Sequence, residues 1–118
     1  MRKCLLILLF LLFGCSKEIT FTQVSMQEGL NMMQQDQNYI LLDVRRIDEY
    51  EQFHIPNAIN IPNEMIDETI IQQLPDKKQT IYVYCRSGNR SKQASQKLVD
   101  LGYEHVIEIG GIIDYPYE

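Results

Sequence analysis

Seven consecutive residues, Cys85-Arg86-Ser87-Gly88-Asn89-Arg90-Ser91, put a thiol, two guanidinium groups, two hydroxyls and a Gly-Asn pair into a span short enough to close around one atom. Cysteine acts as a nucleophile through its thiolate, which forms readily where positive charge and amide N–H groups surround the sulfur. Arg86 and Arg90 bring charge, and Gly88 and Asn89 accept the turn conformations that let successive amides point inward at Cys85. The sequence therefore predicts a loop that favours the Cys85 thiolate. Such a thiolate attacks one of two centres: the phosphorus of a phosphate ester, or the outer sulfur of a species such as thiosulfate. Inert cysteines need no Gly-Asn turn and no flanking arginines, so a merely buried thiol is the weaker reading.

Two elements must hold this loop. Thr80 to Tyr84 are all β-branched or aromatic, the pattern of a central strand covered on both faces, and that strand ends at Cys85. From Ser91 the positions Ser91, Ala94, Ser95, Leu98 and Leu101 recur at helical spacing and stop at Gly102. The loop thus lies between a strand end and a helix N-terminus, whose unpaired N–H groups favour an anion.

The loop resembles the active-site loop of the rhodanese (sulfurtransferase) family. The resemblance extends to Leu41-Leu42-Asp43-Val44-Arg45 with Glu49-Tyr50, to His54-Ile55-Pro56-Asn57-Ala58-Ile59-Asn60-Ile61-Pro62, and to Gly102-Tyr103, Val106 and Gly110-Gly111-Ile112. It runs from Phe21 to Tyr115. It implies Cys85 as the catalytic residue, with Arg86, Ser87, Gly88, Asn89, Arg90 and Ser91 binding the substrate anion. It also implies that Asp43 and Arg45 support the loop through hydrogen bonds. Cysteine-dependent phosphatases have a similar loop with one more residue between cysteine and arginine; here four residues separate Cys85 from Arg90, which favours sulfur transfer over phosphatase or arsenate reductase chemistry. The implied reaction moves a sulfane sulfur from thiosulfate or a related donor to a thiol or cyanide acceptor through a Cys85 persulfide. Sulfite and thiocyanate are the products for thiosulfate and cyanide. No cofactor is called for. A non-turnover persulfide carrier or sensing module, with a protein acceptor, is the alternative from another class.

The remaining chain fits one domain. Its 118 residues are 45% apolar and 23% charged, with no repeat or low-complexity tract. Arg2 and Lys3, the apolar run Cys4 to Phe13 and the small Gly14 read as an export signal, because ten apolar residues fall short of the roughly twenty that span a bilayer. Leu12-Phe13-Gly14-Cys15 resembles the lipobox of bacterial lipoproteins. The division is a signal over 1–14, a lipidated Cys15 with a short tether over 15–19, and the domain over 20–118. The protein is then a membrane-anchored lipoprotein of the bacterial cell envelope, facing the periplasm or the outer surface. Cys4 leaves with the signal and Cys15 carries lipid, so Cys85 is a thiol without an internal partner. Loss of Arg2 and Lys3 takes the formal charge from −5 to −7, a poor match for nucleic acid. Local charge at Arg86, Arg90, Lys92 and Lys97 is opposite in sign and draws small anions.

Elsewhere the pattern gives strands at Phe21 to Val24, Tyr39 to Val44, Ala58 to Ile61 and Val106 to Ile109, a helix capped by Ser25 with Met26, Leu30 and Met33 inward, and a helix from Asn63 through Gln73. Asp48, Glu49 and Glu51 read as a solvated face. His54 reads as a structural hydrogen-bonding residue rather than a proton carrier, and His105 as surface. Neither histidine has a metal-site partner at useful spacing. Alternating strands and helices predict an α/β fold: a mostly parallel five-stranded sheet with helices on both faces.

Overall fold

The computed structural model describes residues 20–117. The expected signal over 1–14 and the expected lipid site at Cys15 with its tether over 15–19 lie outside the described residues.

Five strands, β1 (Thr22–Gln23), β2 (Tyr39–Asp43), β3 (Ile59–Asn60), β4 (Thr80–Cys85) and β5 (Val106–Gly111), form one all-parallel sheet in the order β1-β5-β4-β2-β3. Three α-helices join them: α1 (Met26–Gln34), α2 (Ile47–Gln52) and α3 (Asn89–Asp100). The order puts β4 in the middle. Its residues alternate between two cores, which explains why Ile81 to Cys85 are all buried without polar alternation. Ile81, Val83 and Cys85 pack with Leu42, Ala94 and Leu98 under α3, whereas Tyr82 and Tyr84 pack with Met26, Met33 and Ile109 under α1.

Helix α1 is capped as its sequence predicts, with the Glu28 amide donating to Ser25 Oγ at 3.1 Å. Gly29 is required inside it because a Cβ there would collide with Ile109 of β5. The helix predicted from Asn63 through Gln73 is instead two short 3₁₀ turns, Asn63–Met65 and Glu68–Gln72. Asp67 between them accepts from the Thr69 amide and restarts the turn, and Asn63 is buried, donating to Gln93 rather than capping an α-helix. Such β-branched, short-turn sequence lacks the propensity that a continuous helix needs.

Candidate active site

Strand β4 delivers Cys85 to the C-terminal edge of the sheet, and α3 begins four residues later. Gly88 makes the turn at φ +115°, a left-handed conformation that side chains resist, and its N–H donates to Cys85 Sγ at 3.0 Å. The expected ring of amides is narrower than the sequence implied: among the described residues Gly88 is the one backbone donor on the sulfur. The thiol itself donates to Ser91 Oγ at 3.4 Å, and Cys85 is only 1% exposed. The sulfur lies under the loop rather than on its rim.

The loop is pressed from beneath by β5. Val83 pairs with Glu108 but Cys85 pairs with Gly111, so β5 carries an extra residue, a bulge with Gly110 at φ +85°. Gly111 has no room for a side chain, because a Cβ would meet the Arg86 carbonyl and Ser87 Cα. The bulge turns the Gly110 N–H onto Glu108 Oε2 at 3.0 Å. Glu108, 2% exposed, also accepts from Ser91 Oγ at 2.5 Å. Sequence reasoning missed this carboxylate. The signal was available in Val106-Ile107-Glu108-Ile109: a strand covered on both faces has no wet side on which to place a glutamate.

Of the expected anion-binding residues, Arg86, Ser87 and Asn89 are exposed at the loop, Gly88 is buried against the thiol, and Ser91 is fully buried. Arg90 is not a free cation. Its guanidinium grips Glu49 of α2 through Nη1 to Oε1 at 2.7 Å and Nη2 to Oε2 at 3.2 Å. Glu49 is accordingly no solvated residue: hydrogen bonding from Arg90 and from the Arg46 amide holds its carboxyl down at about 2. Lys97 is also diverted, donating to the Asn63 carbonyl at 2.8 Å. One turn or more of helix separates it from the loop, so sequence clustering of charge overstated the local field.

Asp43 and Arg45 form a buried pair, with Arg45 Nη2 on Asp43 Oδ2 at 2.8 Å and on the Phe53 carbonyl at 2.6 Å. Among the described residues neither side chain hydrogen-bonds the 86–91 loop, contrary to the expectation. They tie the end of β2 to the segment after α2, because their short separation lets the guanidinium fold back onto its own strand. Tyr84, whose hydroxyl receives the Ile55 amide, is pushed well above the usual phenol range by burial and by its hydrogen bond to Asp43. His54 Nδ1 donates to the Tyr50 carbonyl at 2.9 Å and its ring stacks on Tyr50 at 3.8 Å, a structural placement. His105 is exposed. Among the described residues no cluster of metal-ligating side chains occurs.

A cavity of about 370 Å³ opens beside the loop, with Arg86, Arg45, Glu49, Phe53, Ile112 and Tyr117 in its lining. A larger depression of about 700 Å³, lined by Glu28, Asn31 and Tyr82, touches no loop residue.

Residues 25–114 match the rhodanese-like domain family. The chain belongs to the rhodanese family. The thiosulfate sulfurtransferase PspE of Escherichia coli (strain K12) is 44% identical over 73 residues, covering 62% of this chain and 70% of that protein. An Escherichia coli rhodanese solved with anions superposes with a TM-score of 0.62 at 40% identity, over 68% of this chain and 94% of that one. The putative sulfur carrier protein YrkF of Bacillus subtilis (strain 168) is 30% identical over 74% of this chain, which spans 46% of that protein. Thiosulfate sulfurtransferases are thus among the relatives of this rhodanese domain, and a sulfur carrier is too.

Proposed function

We propose that this protein is a sulfurtransferase that takes a sulfane sulfur from thiosulfate or a related anionic donor onto Cys85 and passes it to a thiol or cyanide acceptor. The observation that carries this reading is the Gly88 N–H on the Cys85 sulfur at the head of α3. An anion formed there meets an aligned donor and the positive end of a helix, and needs no solvent reorganisation as it forms. In the forward step the thiolate attacks the outer sulfur, an S–S bond forms, and sulfite leaves with the electron pair of the broken bond. The acceptor then removes the outer sulfur and regenerates the thiolate. In this reading Arg86, exposed in the lining of the neighbouring cavity, holds the departing anion. Arg90, committed to Glu49, contributes by fixing the helix start.

The leader-like residues 1–15 further support export and lipidation at Cys15, so the domain would work at a bacterial envelope membrane. One experiment addresses both parts: intact-mass spectrometry of the full chain from a membrane fraction, before and after thiosulfate, with Cys85→Ser as control. One added sulfur, absent in the control, and acyl mass on Cys15 are the expected results. No sulfur on Cys85 would remove the sulfurtransferase reading; a Cys15 without acyl mass would remove the anchor. The relation to a sulfur carrier makes turnover the second measurement: persulfide that forms once, yet is not released to small acceptors over repeated cycles, marks a carrier.

A further inference from the structure

Glu108 is a buried carboxylate that nothing above employs. It is joined to the reacting sulfur by one hydroxyl. Cys85 Sγ–H points to Ser91 Oγ at 3.4 Å, and Ser91 Oγ has three acceptors in reach: Glu108 Oε2 at 2.5 Å, the Gly88 carbonyl at 3.0 Å and the Gly110 carbonyl at 3.4 Å. A hydroxyl has one proton to give, and the charged, nearest acceptor takes it. The Gly88 carbonyl is already served by the Lys92 amide. The resulting chain runs from thiol to serine to carboxylate, with the Gly110 N–H holding the far end.

We propose that Glu108 is the proton acceptor for Cys85, reached through Ser91. The fully buried thiol has little contact with solvent as a proton sink. Two negative charges this close in a dry interior oppose one another, so a thiolate forms beside Glu108 at low cost only if Glu108 becomes neutral. The relay achieves this without moving a heavy atom. The thiol proton passes to Ser91 Oγ while the serine proton passes to Glu108 Oε2. The thiolate then forms the S–S bond with the donor's outer sulfur, and the bond from that sulfur to its leaving group breaks with its electrons going to the leaving group. Glu108, now a carboxylic acid, donates to Ser91, which turns its hydroxyl toward the sulfur anion. When the acceptor removes the outer sulfur, the proton returns by the same route. No oxidant or reductant enters.

Few other charges face this chain. The loop and α3 contribute Arg86, which is exposed, and Arg90, which is bound to Glu49; β2 contributes the closed Asp43–Arg45 pair; β1 has only Thr22 and Gln23. Glu108 acts through Ser91, so it is a positioning residue rather than one that touches the donor.

The proposal rests on the sulfurtransferase reading only for the identity of the electrophile, so two electrophiles are used. Persulfide formation from thiosulfate and alkylation by iodoacetamide are each followed on Cys85 as a function of pH, for the unaltered chain, Glu108→Gln, Ser91→Ala and the double variant. Glu108→Gln is expected to slow both reactions about a hundredfold at neutral pH. The deficit should shrink as pH rises, because hydroxide replaces the missing base; the unaltered chain should be flat over that range. Ser91→Ala should behave alike, and the double variant should be no slower than the slower single one. A carboxylate acting only by its charge gives the opposite sign: its removal eases ionisation and speeds attack. Equal or faster reaction of Glu108→Gln at neutral pH, or a deficit that is the same at every pH, overturns the relay. Should Glu108→Gln fail to fold, Ser91→Ala carries the test: a deficit at neutral pH that shrinks as pH rises supports the relay, and an equal or faster reaction at neutral pH overturns it. An unaltered chain that is alkylated but takes no sulfur counts against the sulfurtransferase reading, while the alkylation profile still decides the relay.

Discussion

Two serines one helical turn apart on the inner face of α3 have opposite fates. Ser91 is satisfied by the Cys85 thiol and Glu108, while Ser95, equally buried, has no partner for its hydroxyl among the described residues. An unpaired buried hydroxyl costs free energy that an apolar replacement recovers. Ser95→Ala is expected to raise the unfolding free energy by about 1 kcal/mol in urea denaturation, with alanine's better helix propensity contributing part. A loss of stability would show that the hydroxyl has a partner. Both serines read from sequence as small core positions, and only the three-dimensional neighbourhood separates them. The placement of Cys85 between strand and helix was legible because the apolar strand, the Gly-Asn turn and the helical repeat are local signals. The burial of Glu108 could be read from its strand, but its link to Ser91 could not, because that partner lies 17 residues away in sequence and on another element. The same distance hid the Arg90–Glu49 pair, whose members are 41 residues apart.

At the scale of elements, the loop owes its shape to a strand that the local pattern could not fully place. The apolar run predicted β5 to end at Ile109; it continues to Gly111 through the bulge at Gly110, since a bulge leaves no mark in hydrophobic periodicity. The strand and helix identities around the site were legible for a simpler reason: a both-faces-covered strand and a 3.6-residue repeat are strong signals, and Ser91, Ala94, Ser95 and Leu98 of the helix face are buried as read, with Leu101 half-buried at its end. The stretch from Asn63 through Gln73 was less legible because inward Ile66, Ile70 and Leu74 keep helical spacing while the backbone is two 3₁₀ turns. The close approach of β5 to the loop can be tested directly. Gly111→Ala must move either the Arg86 peptide or the strand, because the obstacle is backbone rather than a flexible side chain. Overpacking of this kind costs about 1–3 kcal/mol, and it displaces the loop that holds the thiol. The expected outcome is a folded protein, by circular dichroism, that unfolds at lower urea concentration and takes up sulfur at least about tenfold more slowly. Normal sulfur uptake with lowered stability would show that the strand yields and the loop does not.

Across the whole molecule, the sheet separates two cores, and the layers meet again over the C-terminal edge, where the candidate site lies. The Glu49–Arg90 pair joins them there: α2 contributes Tyr50 to the core that holds α1, whereas α3 belongs to the other. Charge in this acidic chain, −5 overall, therefore has a structural task at the site itself. The Glu49 carboxyl stands at about 2 in the folded protein against an ordinary 4.5, depressed chiefly by its hydrogen bond from Arg90. A carboxyl lowered on folding stabilises the native state above its unfolded value and ceases to do so as pH falls through its folded value. The contribution of the clamp is thus complete at neutral pH and fades between about 4.5 and 2. Glu49→Gln should cost about 1 kcal/mol at neutral pH, an amount set by partial solvent screening of the pair. The difference should vanish near the acid end of that window, where Glu49 is itself protonated. Urea denaturation of both proteins at several pH values measures it, and a difference that persists undiminished at the acid end would assign the loss to packing instead of charge. Arg90 feels the charge of Cys85, so with its own charge no longer balanced by Glu49 it should favour the thiolate, and Glu49→Gln should also speed the Cys85 reaction with thiosulfate at neutral pH, coupling the stability of the two layers to the chemistry between them.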